Sequence, residues 1–480
     1  MGASRRVLVL LVLPVLLDGA WGCRETGFVL TALRSDAGSA DATVFNDMGV
    51  TPGGCDQYTP GSELGLCAAT YLGGAGEDRT DGVAFDADGN VLIAARLSEP
   101  PFGLSPRELG DGQAGVLRLY PTGRAPLSWT QVASRIRDLS VGGDPAQIAL
   151  ATEDGVAVLD ANARELLWRF DVEGGALRVD SGTDGSVVAL LPDGTVNLLG
   201  ADGAPLVAFG VEAERVLDVA LDTATDSVFV VGARLDADGC DGPTPMLRSY
   251  GFNGRVQWRR FDFADADGHC DDAEGVRVTV GRDGLLYYAG QSGGPDSAHG
   301  RDPQDATVPG PIVGGDVYAS PEAADGPVGF VARFDPGSGQ MDRGQWLVPR
   351  DGERGQRLLI TGLDADAGGH VFVSGEAGCC IEQRDALRLS GQRPGDYDGG
   401  DLFVAVLSPD LEQRLSWFTL SGSPGSAATA SGVAVGGRFA AVVANQPGSD
   451  GALITTAALA PEPAGETEGY VAIWPAPGGE

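Results

Sequence analysis

The feature that most constrains this chain is a hairpin that returns seven times. Each copy is an apolar alternation, a turn bearing glycine or an acid, and a second apolar strand: Val83 to Ala95, Ile148 to Leu159, Val187 to Leu199, Val216 to Val231, Val276 to Tyr288, Leu358 to Val373 and Val433 to Val443. A further strand carrying Trp follows most copies, in "SWTQV" at Ser128, "LLWRF" at Leu166, "VQWRRF" at Val256, "GQWLV" at Gly344 and "LSWFTLSG" at Leu415. With 74 Gly and 29 Pro in 480 residues, turns are frequent enough to make many short strands the natural reading. Four-stranded units arranged around an axis protect their edges by repetition. The expected fold is all-β, a single seven-bladed β-propeller, with six or eight blades as the alternative counts.

The last unit lacks an outer strand of its own, because only a Pro/Gly tail follows "GYVAIW" at Gly469. The first unit has one to spare. "CAATYLGG", Cys67 to Gly74, matches the other outer strands, so it is expected to complete the last blade and close the ring by an N-terminal outer strand. The stretch from Ala69 to Leu97 closely resembles the bacterial β-propeller repeat (SBBP type) of exported proteins, with Tyr71, Leu72, Gly73, Gly74, Gly76, Asp78, Gly82, Val83, Ala84, Asp86, Gly89 and Asn90 in register. A second stretch, "VLDANARELLWRFDVEGG", resembles the blade repeat of pyrroloquinoline-quinone enzymes. Asp160 and Trp168 have its spacing, whereas Ala163 and Arg164 replace its Thr-Gly pair. "FDPGSGQMD" keeps Asp335, Ser338 and Gly339 of the same pattern but has Arg343 where Trp is expected.

Ahead of the repeats, Arg5 and Arg6 precede the apolar run Val7 to Leu17 and the stretch "DGAWGC" ending at Cys23. The run is too short to span a bilayer, and its basic start fits an export signal. Its end resembles a bacterial lipoprotein box, which implies acylation of Cys23; ordinary cleavage nearby would instead leave a soluble secreted chain. The expected organisation is a signal peptide over 1–22, a tether over 23–54 and the propeller over 55–480. Membrane contact is expected only through the N-terminal lipid, at the bacterial cell envelope.

The chain contains 33 basic and 67 acidic residues, a formal net charge of −34, and every basic side chain is Arg. Such a chain repels phosphate backbones, which excludes nucleic acid as a natural partner, and without lysine it has neither Schiff-base chemistry nor a lysine-dependent phosphate loop. A GC-rich genome or a saline habitat produces the same Asp and Arg bias. Setting Cys23 aside leaves an even six cysteines as disulfide candidates: Cys55 with Cys67, Cys240 with Cys270, and the adjacent Cys379 and Cys380. Cys240 and Cys270 fall in two kinds of loop that open on one end of a propeller. The long insertions Gln291 to Pro327 and Gly375 to Gly400 leave from that end too.

Acids crowd the same loops: Asp236, Asp238 and Asp241, then Asp265, Asp267 and Asp271. Alternate carboxylates on a glycine-bent loop can converge on calcium, the one cofactor expected if any is bound; a solvated acidic loop is the simpler reading. The three histidines, His269, His299 and His370, form no nucleophile-and-base motif or zinc spacing. The expectation is a non-catalytic, monomeric binding scaffold that takes a protein or glycan ligand at its loop-rich end. The alternative is a propeller enzyme: a quinoprotein dehydrogenase, in some of which a vicinal disulfide stacks over the cofactor, or a carbohydrate-active protein.

Overall fold

The structure is a computed structural model. It describes Cys55 and residues 63–478, except 124, 214, 236, 238–239, 241, 270–271, 295, 314–323, 352–353, 382–386, 395–399, 421–428, 448–451 and 456–457. The expected signal peptide, the tether and Cys23 lie outside the described residues. The strands from Arg79 onward form antiparallel sheets in chain order, and the first strand of each main sheet packs on the first strand of the next until the seventh returns to the first. This is a seven-bladed β-propeller.

The innermost strands are Arg79–Phe85, Ile136–Gly142, Arg178–Ser181, Arg215–Asp222, Ala273–Val280, Leu358–Ala365 and Thr429–Gly436. The fourth antiparallel strands of blades 1 to 6 are Pro126–Ala133, Leu166–Asp171, Pro205–Gly210, Val256–Arg260, Met341–Leu347 and Arg414–Thr419. Middle strands such as Val91–Arg96, Val228 to Ala233 and Phe403 to Leu407 are almost wholly buried, as expected for sheets covered on both faces by neighbouring blades. Two of the seven hairpins sit one strand further out than the others. Ile148 to Leu159 and Val187 to Leu199 pair the second and third strands of blades 2 and 3, because the inner strands of those blades carry Arg137, Asp138, Arg178 and Asp180 and so lack a strong apolar alternation.

The outer strand of blade 7 is Ala68–Leu72, which pairs antiparallel with Thr467–Pro475, Tyr71 lying opposite Tyr470. The N-terminal strand therefore closes the ring, and five consecutive buried residues show how completely it is enclosed. The glycine-rich stretch that follows has a structural task. Asp78, fully buried, accepts the N–H of Gly74 at 2.8 Å and that of Ser98, clamping the connector into blade 1. Gly73, at φ +133°, has no room for a Cβ beside the Asp78 carboxylate. In the first hairpin Asp86 accepts the N–H groups of Asp88 and Asn90 at 2.9 and 2.8 Å and pairs with the buried Arg118.

Outer strands also dock onto the next blade. The Trp168 ring covers Gly203, in the turn between the last two strands of blade 3, and its Nε1 donates to Ala201 O at 2.9 Å. Trp258 covers Gly339 of blade 5 in the same way and donates to Pro336 O at 3.1 Å. Arg343, in the corresponding place on blade 5, donates to Asp410 O of blade 6 at 3.1 Å. On the closing strand, Ala68 packs against the turn at Gly123 of blade 1, extending the docking across the seam.

Deleting residues 67–74 is expected to expose the edge of Thr467–Pro475 and unseat blade 1. Calorimetry should then show a broad, low-temperature transition, and an unchanged cooperative melt would contradict the closure.

Candidate functional site

The inner strands surround an axial cavity of about 520 Å³. Each presents a free edge to it, and an unpaired N–H in so narrow a space is costly. Side chains from the preceding blade meet that need. Asp138 Oδ2 of blade 2 accepts the N–H of Val179 at 3.1 Å, Asp180 Oδ2 of blade 3 that of Leu221 at 2.8 Å, and Asp218 Oδ2 of blade 4 that of Val278 at 3.0 Å. Asp364 Oδ2 of blade 6 accepts from Val435 at 2.8 Å, and Ser140 Oγ from Ser181 at 3.1 Å. Every acceptor lies on one inner strand and every donor on the next. These bonds stitch blade to blade at the axis.

A β-bulge helps to aim these groups. It interrupts the inner strand at the same place in six blades, and the residue just past it is Gly82, Asp138, Asp218, Arg277, Gly362 or Gly432. Blade 3 places Arg178 at the matching position. Charge thus alternates over blades 2 to 5, as Asp138, Arg178, Asp218 and Arg277, while glycines line blades 6, 7 and 1. The Arg178 Nε lies 3.7 Å from Asp218 Oδ1, and Arg277 Nε donates to Thr361 O at 2.6 Å. On the glycine side the blades approach closely: a Cβ on Gly362 would lie 2.7 Å from Val433 N.

Burial sets the protonation behaviour of this channel. It pushes the carboxyls of Asp180 and Asp364 up to about 6 and raises Asp138 as well, outweighing the hydrogen bonds that each accepts. Asp81, at the bulge of blade 1, is pushed by burial to about 6. Burial and then the neighbouring Arg178 lower Arg277 to about 10.

The other candidate surface is the end where second strands pass to third strands and where each blade leads into the next. Blades 2 and 3 turn there in two to four residues, at 153–154 and 191–194, whereas blades 1, 5, 6 and 7 carry insertions at 97–113, 293–327, 378–400 and 448–466. Three insertions fold back over the outer edge of their own blade. Arg107–Glu108 adds a parallel strand to Thr130 and Gln131, Ile312 bridges Gly344, and Thr455 N donates to Ala69 O at 3.1 Å. The blade 5 insertion is anchored by His299, fully buried, its ring stacked on Phe330 at 4.9 Å and its Nε2 2.7 Å from the Tyr288 hydroxyl. Burial holds His299 down to about 3, so it is neutral.

The cysteines expected in disulfides are bridged where both partners are described: Cys55 with Cys67, and Cys379 with its neighbour Cys380. Cys240 is also disulfide-bonded, while Cys270 lies outside the described residues. Cys379 and Cys380 do not line the axial cavity. Of the six expected calcium ligands, Asp236, Asp238, Asp241 and Asp271 lie outside the described residues. Asp265 and Asp267 are exposed, and the Asp267 N–H donates to Asp265 Oδ1 at 2.9 Å in a local turn. Among the described residues no three His, Cys, Asp or Glu side chains gather as metal ligands, and no helix is long and apolar enough to cross a membrane. His370 is half-buried, its backbone N–H and Nδ1 both on Asp366, in the place that Asn90 takes in blade 1.

The axial carboxylates were not expected from the sequence. Their signal was a spacing, since Asp138, Arg178 and Asp218 recur at intervals of 40 residues.

The fold and site define a seven-bladed propeller with a carboxylate-stitched channel and one loop-rich end. No family model and no curated protein matches the chain. Similar solved structures include the Kuenenia stuttgartiensis hydrazine synthase, at 11% identity and TM-score 0.45 over 76% of this chain and 92% of that one. The WD40 β-propeller domain of Doa1 is similar at 11% identity and TM-score 0.43, over 85% and 96%. The fold assignment rests on this chain's own strand pairing, because likenesses of that size carry no further argument.

The carboxyls raised to about 6 bind protons in the folded state before they do in the unfolded one. Their contribution to stability therefore grows as pH falls from about 6 towards the unfolded value near 4 and is lost as pH rises through 6. His299 acts oppositely, because unfolding frees it to take up a proton below about 6.5. Three carboxyls shifted to about 6, with Asp138 raised besides, outweigh one imidazole. The melting temperature is expected to be higher at pH 5 than at pH 7, with Asp180→Asn flattening the slope by about one proton. Thermal melts across that range check it, and a lower value at pH 5 would contradict the assignment.

Proposed function

We propose that this chain is an exported, lipid-anchored, non-catalytic propeller of the bacterial cell envelope, which binds a protein or glycan ligand through its loop-rich end. The observation that carries this reading is the placement of the long insertions. They leave from one end of a closed ring, and functional contacts concentrate on loops that a rigid scaffold positions. The excess of acidic residues favours a ligand with basic or hydroxyl-rich contact groups over a polyanion.

Two measurements test the proposal. The mass of the mature N-terminal peptide should show a chain that begins at Cys23 with a lipid on its thiol; a free thiol or cleavage elsewhere would remove the anchor. Truncating the exposed Gln304, Asp305, Thr307 and Val308 of the blade 5 insertion to Ala, with the buried His299 left in place, should weaken binding to glycan arrays and purified envelope proteins while the melting temperature holds. Binding unaltered by this truncation would move the contact surface elsewhere.

A further inference from the structure

The bridge between Cys379 and Cys380 differs in kind from that between Cys55 and Cys67. The latter closes a loop and so constrains the unfolded chain, whereas a bridge between adjacent residues closes none and adds nothing to global stability by that route. Its effect is confined to the local backbone. Cys380 is held at φ +67°, in the left-handed region that residues with a side chain rarely adopt.

That backbone stands at a junction of the loop-rich end. The Cys380 carbonyl accepts the N–H of Arg350 at 3.0 Å, and the Gly378 N–H donates to Arg357 O at 2.8 Å. Arg350–Asp351 pairs with Arg354–Gln356 in the connector from blade 5 to blade 6, and Arg354–Gln356 pairs in parallel with Ala324–Asp325, at the end of the blade 5 insertion. Three segments therefore meet beside the bridge: the blade 5 insertion, the connector and the start of the blade 6 insertion. Ile381, the next residue, is buried in the core shared by blades 5 and 6. The Gly378 to Arg357 bond continues, at its loop-side end, the ladder between Leu358–Ala365 and Val371–Ala377 of blade 6.

We propose that Cys379–Cys380 is a redox switch for the loop-rich end: a dithiol reductant opens it, and the bases of both long insertions loosen while the ring stays folded. The inference rests on the reading of that end as the binding face. In the reaction the sulfur–sulfur bond breaks, each cysteine sulfur takes one proton, and the reductant is oxidised to its own disulfide, two electrons passing in all. Access favours this bridge over Cys55–Cys67, because Cys379 and Cys380 are half-exposed whereas Cys55 and Cys67 are buried. Once opened, Cys380 is free to leave its positive φ, and its carbonyl then swings away from Arg350.

Hydrogen exchange read by mass spectrometry tests the switch without any ligand, so its outcome is separate from that of the binding proposal. The oxidised protein is compared with protein treated with limiting dithiothreitol, the thiol state being read by alkylation, and with the Cys379→Ala/Cys380→Ala variant. Amides of 350–356 and 378–381 should exchange about tenfold faster in both open forms, with the propeller strands and the melting temperature unchanged. Unaltered exchange at 350–356 with the bridge open would overturn the proposal. So would faster exchange that spreads to the inner strands with a loss of melting temperature, which would make the bridge a structural staple.

Discussion

Everything in this molecule depends on one pairing between distant parts of the chain, that of Ala68–Leu72 with Thr467–Pro475. A ring of sheets that each pack on two neighbours is stable only when the last finds the first. Here the contact is supplied by a strand that crosses the seam. Tyr71 meets Tyr470 edge-on at 6.0 Å, the Cys67 N–H donates to Ile473 O, and Asp78 fixes the exit of the strand into blade 1. The loop-closure entropy of joining residues some four hundred apart is large, but it grows only logarithmically with length, so one well-buried strand can offset it.

Within that ring the axis poses the next problem, which is solved in two ways. Where Asp138, Asp180, Asp218, Asp364 and Ser140 reach across, the blades are joined by side-chain acceptors on backbone N–H groups. At Gly362 the side chain is dispensed with and the backbone of the next blade comes close. The first solution buries carboxylates in a chain that already carries a large negative charge, and their raised pKa values express that cost. The channel is thus a structural hub, set apart from the insertions of the loop-rich end.

Much of this architecture was legible from the sequence because period-two alternation and turn chemistry recur with the blade. The closing strand was readable because "CAATYLGG" imitates an outer strand that the last blade lacks. Four features were harder to read, each for a physical reason. Tryptophans near the outer strands belong to two sets: Trp168 and Trp258 lie at the position that docks on the next blade, whereas Trp129 and Trp417 stand one residue further on and are buried within their blade clusters. Arg343 performs the docking by a hydrogen bond instead of a ring face, so a search for Trp passes over it. The axial aspartates are hidden because Asp in so acidic a chain reads first as a turn residue, and only the 40-residue spacing sets them apart. His299 likewise gave no sign that an insertion would bury it against Tyr288 and Phe330.

Closure of the ring by its N-terminal strand can be tested with a circular permutant. In it, residues 67–74 are moved to follow residue 476 through a short turn, so that the closing strand becomes the natural fourth strand of blade 7. The permutant is expected to be a monomer with the same single melting transition as the parent chain, because it restores every pairing from Ala68 to Leu72. A permutant that fails to fold, or that melts in separate steps, would contradict that closure.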